Sequence, residues 1–244
     1  MLKGLTQIGF RKVSNGFLVV IAISLINVIV SFYFISSNKK IINRLTEVIN
    51  PYVESLEAFN LLVTESKMFT TNWVYLRNSV EDKENLKQLH EKRYPAMKGK
   101  LIGFFGKLEN MEDKDSLILA FSKFEDLLEI EKGVMTLLVS FDDYENPNKM
   151  FQGEDIIESE VLPRTQEIMA SLKTIIHKNH EEAVAMKNSM LVSFNGLLTL
   201  IFGVSLTLLV AVILAALFIS SSIRDPVMKM RDIILKLGRG EMPE

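Results

Sequence analysis

Two uncharged apolar runs decide most of what this chain can become. Phe17 to Ile35 is 19 residues without a charge, and Asn188 to Ile223 is 36. A helix needs roughly 20 apolar residues to cross a ~30 Å hydrocarbon core. Inside that core only helices and closed barrels satisfy their own backbone groups. Two transmembrane helices are therefore expected, at 16–36 and 191–220, and the full chain of 244 residues, 48% hydrophobic, is too polar to consist of spans alone. A cleaved signal peptide is the rival reading of the first run. Such peptides have apolar cores of roughly 7–15 residues and a small-x-small cleavage site. This run is longer, and "SFYFISSNKK" offers no convincing site.

Charge sets the orientation. The tail at 1–15 carries Lys3, Arg11 and Lys12 and no acid, and the segment at 221–244 carries Arg224, Lys229, Arg231, Lys236 and Arg239. The positive-inside rule makes both cytoplasmic. Residues 37–190 then face outside. Lys39, Lys40 and Arg44 pull against this assignment, but long domains translocate largely regardless of charge. The chain has no cysteine, so disulfides, thiol nucleophiles and cysteine metal sites are excluded. A net charge of −2 gives no general attraction to nucleic acid.

The segment between the spans has few turn signals and four long periodic stretches, which predicts helices. The first runs out of the membrane to about Ser79, with a seam of Leu45, Ile49, Tyr52, Leu56, Phe59, Val63, Ser66, Thr70, Trp73 and Arg77. The second covers Asp82 to Asn110 (Leu86, Met97, Leu101, Phe104, Leu108, Met111), and the third covers Asp113 to Tyr144 (Leu117, Phe121, Phe124, Leu128, Met135, Leu138). The fourth starts near Glu154 with Leu162, Met169, Ile176, Ala183 and Met190, plus Leu172 and Met186, and runs unbroken into the second span. Short joints make neighbours antiparallel. The expected fold class is all-α: two transmembrane helices flanking an extracytoplasmic antiparallel four-helix bundle. The first and fourth helices are longer than the other two, so a second subunit is expected to support them, giving a homodimer. Pro51, Pro95 and Pro163 fall inside the helices; each is expected to bend its helix, as plain curvature or as a hinge that relays strain.

The last stretch, "SSSIRDPVMKMRDIILKLGRGEMPE", places Ile223, Val227, Met230, Ile234 and Leu237 on one helical face. Pro226 sits near the helix start, and Gly238 and Gly240 close it. An apolar face, an early proline and the Gly240–Glu241 pair directly after a span resemble the first helix of a HAMP domain. The matching residues are Ile223, Pro226, Val227, Met230, Ile234, Gly240 and Glu241. The whole layout resembles the four-helix-bundle sensors of methyl-accepting chemotaxis receptors and of some sensor kinases. The resemblance implies a bacterial inner-membrane receptor that relays an outside stimulus by helix displacement. It also implies cytoplasmic signalling partners and an output such as a histidine kinase, phosphatase or cyclase beyond residue 244. A HAMP domain needs a connector and a second helix, so the sequence is expected to be part of a longer protein. The rival class is a non-signalling, membrane-anchored scaffold or assembly factor, in which the last helix merely lies on the lipid.

Candidate chemistry is sparse. At the membrane-distal end the first seam turns polar around Trp73, while the second helix brings His90, Arg93 and Tyr94 and the fourth brings Arg164. Arginine suits bidentate recognition of carboxylates, so Arg77, Arg93, Trp73 and Arg164 are candidates for a small anionic ligand. An extracytoplasmic protein is the other candidate stimulus. In "HKNHEE", His177, His180 and Glu181 share a turn, but exposed His and Glu on a bundle surface are the default, and no metal is expected. No nucleophile–base pair or carboxylate dyad emerges. The chain reads as non-catalytic, with no cofactor and no nucleic acid, and as touching lipid along its spans.

Overall fold

The computed structural model describes residues 2–77, 79–108 and 110–238. Every regular element among them is helical: α1 (Leu2–Arg44), α2 (Asn50–Tyr75), α3 (Val80–Gln88), α4 (Tyr94–Ile102), α5 (Met111–Leu137), α6 (Phe141–Glu145), α7 (Pro147–Ile156) and α8 (Leu162–Gly238). π-helical turns join α1 to α2, α3 to α4 and α7 to α8. The chain divides into two compact units, one of Met1–Lys40 with Ser189–Glu244, the other of Ile41–Asn188.

The first unit carries the apolar runs. Two helices are long and apolar enough to cross a membrane. Their large side chains turn outward: Ile29 is 67% exposed, and Phe32 and Phe202 are each 73% exposed. Water would make such a surface costly, whereas hydrocarbon matches it. Val227, Met230 and Ile234 are also exposed. Gly240 and Glu241, and the side chains of Ile223 and Pro226, lie outside the described residues.

The second unit is built from four arms: 41–75, 80–102, 111–137 and 147–188. Cross-arm pairs fix their directions. Asn72 donates to Asp82 at 3.0 Å, and Arg93 pairs with Glu65, so the first two arms run oppositely. Tyr94 donates to Glu125 at 2.9 Å and His90 meets Glu131 at 2.8 Å, which reverses the third arm on the second. Lys123–Glu167 at 2.6 Å and Lys178–Glu112 at 2.7 Å reverse the fourth on the third. The first and third arms run parallel: Ser66–Glu131 and Trp73–Leu138 are both 65 positions apart.

The predicted seams are largely what is buried. Ile49, Tyr52, Leu56, Phe59, Val63, Ser66, Thr70 and Trp73 are all buried on the first arm, and only the ends of that stripe, Leu45 and Arg77, are not. Phe59 lies at the centre, 5.5 Å from the rings of both Phe121 and Phe124, and Tyr94 stands edge-on to Phe124 at 5.0 Å. Aromatic pairs in such tilted and edge-to-face arrangements add about 0.5–1.5 kcal/mol beyond their area. The fourth arm differs from expectation by one residue. Its core stripe is Val161, Thr165, Ile168, Leu172, Ile175 and Asn179, while Leu162, Met169 and Ile176 flank it. Two polar positions in a 4-3-4-3-4 stripe hid its true centre.

The three prolines share one device. Leu45–Ile49, Leu89–Arg93 and Ile157–Val161 are π-helical, and each ends two residues before a proline: Pro51, Pro95, Pro163. The amides of Asn50, Tyr94 and Leu162 reach back five residues, to the carbonyls of Leu45, Leu89 and Ile157. A proline ring in an α-helix collides with the carbonyl four residues earlier. Widening that turn moves the carbonyl aside, so each helix continues with a bulge in place of a break.

Helix ends also depart from the sequence reading. The third helix stops at Leu137 rather than Tyr144, the fourth arm begins at Pro147 rather than near Glu154, and the chain is helical on both sides of Asn146. Asn146 is an N-cap whose side chain accepts from the amides of Asn148 and Lys149, with Pro147 at the first helical position. Asn-Pro here starts a helix, since proline at that position gives up only an amide that had no partner. The second helix ends at Ile102, with turns over 103–107.

Candidate functional site

Inside the four arms lies a charged group that apolar packing alone cannot explain. Glu131 is fully buried, 0% exposed. It occupies a seam position of α5, between Leu128 and Leu138, where a hydrophobe is the rule. Its Oε2 accepts from the Ser66 hydroxyl at 2.7 Å and meets His90 Nε2 at 2.8 Å. The imidazole is only 6% exposed. Thr70, also buried, turns its hydroxyl to the Ser66 carbonyl at 2.9 Å. Three arms thus converge on one carboxylate oxygen. The other oxygen, Oε1, and His90 Nδ1 are buried without a hydrogen-bond partner in the chain. A buried carboxylate is tolerated only when paired and hydrogen-bonded, and this one is half satisfied.

His90 sits in the π-helical turn Leu89–Arg93. Leu89 and the His90 ring face inward while Glu91, Lys92 and Arg93 face out. The extra residue of the wide turn brings Tyr94, five positions after Leu89, back into the core. The serine–glutamate–histidine set does not form a nucleophile relay. Ser66 and His90 both address Glu131 Oε2, whereas such a relay needs the imidazole on the hydroxyl.

A second polar set lies toward the other end of the arms. Asp113, 4% exposed, accepts from Asn179 Nδ2 at 3.0 Å and pairs with Lys178 Nζ at 3.0 Å. These contacts push the Lys178 ammonium up in pKa, the Glu112 hydrogen bond first and Asp113 after it. Tyr52 is pushed far up by burial and by Asp113.

The predicted ligand residues do not form one cluster. Trp73 is 5% exposed, with its indole N–H on the Leu138 carbonyl at 3.0 Å. Arg77 lies at the same end, 5.4 Å above the Phe141 ring. Arg93 is on the π-helical turn, paired with Glu65, eight residues or about 12 Å of helix rise from the level of Trp73. Arg164 is exposed on the fourth arm and pairs with Glu160 at 2.7 Å. What gathers around Trp73 is lysine: Lys83 Nζ is 5.3 Å from its ring and 4.7 Å from that of Tyr144, and Lys87 is 6.0 Å from Trp73. Burial lowers the Lys83 pKa. His177 is 76% exposed with Glu181 at 3.4 Å. His180 lines a shallow groove of about 400 Å³ with Glu54, Glu57 and Lys187. Among the described residues no three histidines, aspartates or glutamates gather as a metal site.

No family model, curated protein or solved structure matches this chain. The sequence marks Ser66 as a seam position and His90 as a polar neighbour, but does not by itself pair them with Glu131. Glu131 had a signal of its own: 117, 121, 124, 128, 131, 135, 138 is an unbroken 4-3-4-3 seam with one acid in it.

Proposed function

We propose that this chain is the sensing and membrane-spanning part of a transmembrane receptor. In this reading residues 41–188 are an extracytoplasmic antiparallel four-helix bundle, the apolar helices cross a bacterial inner membrane, and the chain acts as a homodimer. The segment from Ile223 onward serves as the first helix of a HAMP-type linker to a cytoplasmic output. One observation carries it: α8 is a single helix from Leu162 to Gly238. Its first turns supply core residues Ile168, Leu172 and Ile175. Its middle is the uncharged run, and Val227, Met230 and Ile234 lie on one face of its end. A helix unbroken over 77 residues transmits a shift or rotation along its length, and helix shifts of about 1–2 Å are an established switching mode. A stimulus moves such an equilibrium only by preferring one state.

Two experiments test the reading. The chain has no cysteine, so single cysteines report topology cleanly. Ser122→Cys should react with a membrane-impermeant maleimide in intact cells, and Lys12→Cys should not; the reverse pattern refutes the orientation. For signalling, an output module from a characterised sensor kinase is joined after Glu244, and one to four alanines are inserted within 191–220. Each insertion rotates the downstream helix by about 100°, so output should alternate with insertion length. An output indifferent to all four insertions favours a membrane-anchored scaffold.

A further inference from the structure

We propose that His90 and Glu131 form a proton-responsive latch between the second and third arms, closed when the imidazole is protonated and opening through the Leu89–Arg93 turn when it is not. The inference rests on the geometry of the 41–188 unit and does not require the receptor reading. With His90 protonated, the buried pair carries no net charge. His90 Nε2–H stays on Glu131 Oε2, so the proton that leaves is the one on Nδ1, which has no partner in the chain. It passes to solvent, and a lone carboxylate then remains in the core.

Among the described residues no charged group other than His90 is bonded to Glu131; half-buried Lys67 follows Ser66 on the first arm, and on α7 Lys149 pairs with Asp143, Glu154 is half-buried and Asp155 is exposed. On the first arm the contact is the uncharged Ser66, and Glu65 is engaged by Arg93. On the third arm Glu129 and Lys132 are exposed and pair with each other at 2.6 Å. The fourth arm packs its own π-helical turn against the first and third arms through Ile157 and Val161; there Glu158 is exposed and Glu160 pairs with Arg164. On the second arm Lys87, Glu91 and Lys92 are exposed. An uncompensated buried charge favours any rearrangement that hydrates it. The π-helical turn provides one, because its reach-back bonds sit beside Pro95, which offers no amide to the ladder.

The test uses the full chain in lipid nanodiscs with spin labels at Lys92→Cys and Ser122→Cys, both exposed positions, and pulsed electron–electron distance measurement from about pH 5.5 to 8.5, the range that brackets histidine titration. Expected is a second distance whose population relative to the first grows about tenfold per pH unit on the alkaline side, the slope for release of one proton. His90→Gln keeps a donor for Glu131 and should remove the pH dependence, while His177→Gln and His180→Gln should leave it intact. Ser66→Ala strips one donor from the carboxylate, makes it lean harder on the imidazolium, and should move the midpoint to higher pH. A distribution constant with pH, an unchanged response in His90→Gln, or an unmoved midpoint in Ser66→Ala overturns the proposal. Ser66→Ala decides alone if His90→Gln does not fold.

Discussion

The Tyr144 hydroxyl donates to the main-chain carbonyl of Trp73 at 2.7 Å, and Trp73 answers through its indole N–H, which donates at 3.0 Å to the carbonyl of Leu138. Both carbonyls belong to helix ends. Trp73 lies in the last turn of α2, and Leu138 is the residue that caps α5. The last four carbonyls of a helix lack intrahelical partners, so two aromatic side chains satisfy the termini of two parallel arms. Trp73→Phe and Tyr144→Phe should each lower stability by ~1–3 kcal/mol, the range for leaving a buried acceptor unmet. Urea unfolding followed by circular dichroism in detergent measures this.

Lys83 covers that pair. Its ammonium stands over both rings and donates to the Arg77 carbonyl at 3.2 Å. Lys83→Met should cost ~0.5–2 kcal/mol of cation–π attraction. Trp73 is the only tryptophan, so the emission spectrum reports the surroundings of this one indole, Lys83 among them. It should shift in Lys83→Met and stay unchanged in Lys92→Met, whose lysine lies exposed on the Leu89–Arg93 turn.

The joint after Leu138 should be acid-sensitive. Asp143 accepts from the amides of Val139 and Ser140 and from the Ser140 hydroxyl, and pairs with Lys149. These contacts, the Lys149 hydrogen bond first, hold its carboxyl well below the usual range. A carboxyl depressed on folding contributes stability that is present above its unfolded value, near ~3.9, and is lost as pH falls through the folded one. Asp143→Asn should therefore be less stable than the parent at pH 7, with the difference shrinking steadily below about pH 4. A difference that stays constant with pH would falsify the assignment.

Two glycines make a paired test of helix propensity against packing. Gly133 is exposed in the interior of α5, and an added Cβ would meet nothing within 4 Å. Gly133→Ala should stabilise by ~0.5–1 kcal/mol. Gly153 is buried in α7, where the same Cβ would come within 3.2 Å of Leu138 Cδ1 and 3.5 Å of Val74 Cγ1. There the strain of moving two core side chains offsets the gain, so Gly153→Ala should fall short of Gly133→Ala. Thermal unfolding of the two variants side by side decides it.

The parts of this fold legible in sequence are those governed by periodicity. Tyr52, Leu56, Phe59 and Val63 mark their seam by spacing, and the uncharged runs mark themselves by length. What sequence hid was governed by contact at a distance. Three prolines could be located, but the reading of kinks gave no hint that each is preceded by a five-residue wide turn. Asn146–Pro147 carries the composition of a turn and the geometry of a cap. Arg77, Arg93 and Arg164 share a chemistry but sit on different arms or at different heights, each with its own partner. Glu131 is hard to read from sequence because an acid in an apolar stripe looks like a gap in the pattern until its two partners are seen.

That acid supports the sharpest energetic prediction. Replacing Glu131 by Leu leaves the Ser66 hydroxyl and His90 Nε2 buried against a side chain that cannot accept, and replacing His90 by Leu leaves the carboxylate with Ser66 alone. Breaking one side of a buried pair costs ~3–5 kcal/mol, whereas replacing both sides by apolar residues of similar volume is often neutral or stabilising. The double variant His90→Leu/Glu131→Leu should therefore be more stable than either single one. The coupling energy from the four-variant cycle should be large beside the ~0.5 kcal/mol expected of independent sites. If instead the two losses simply add, the hydrogen bond at 2.8 Å contributes nothing, and Glu131 acts through Ser66 and its packing instead.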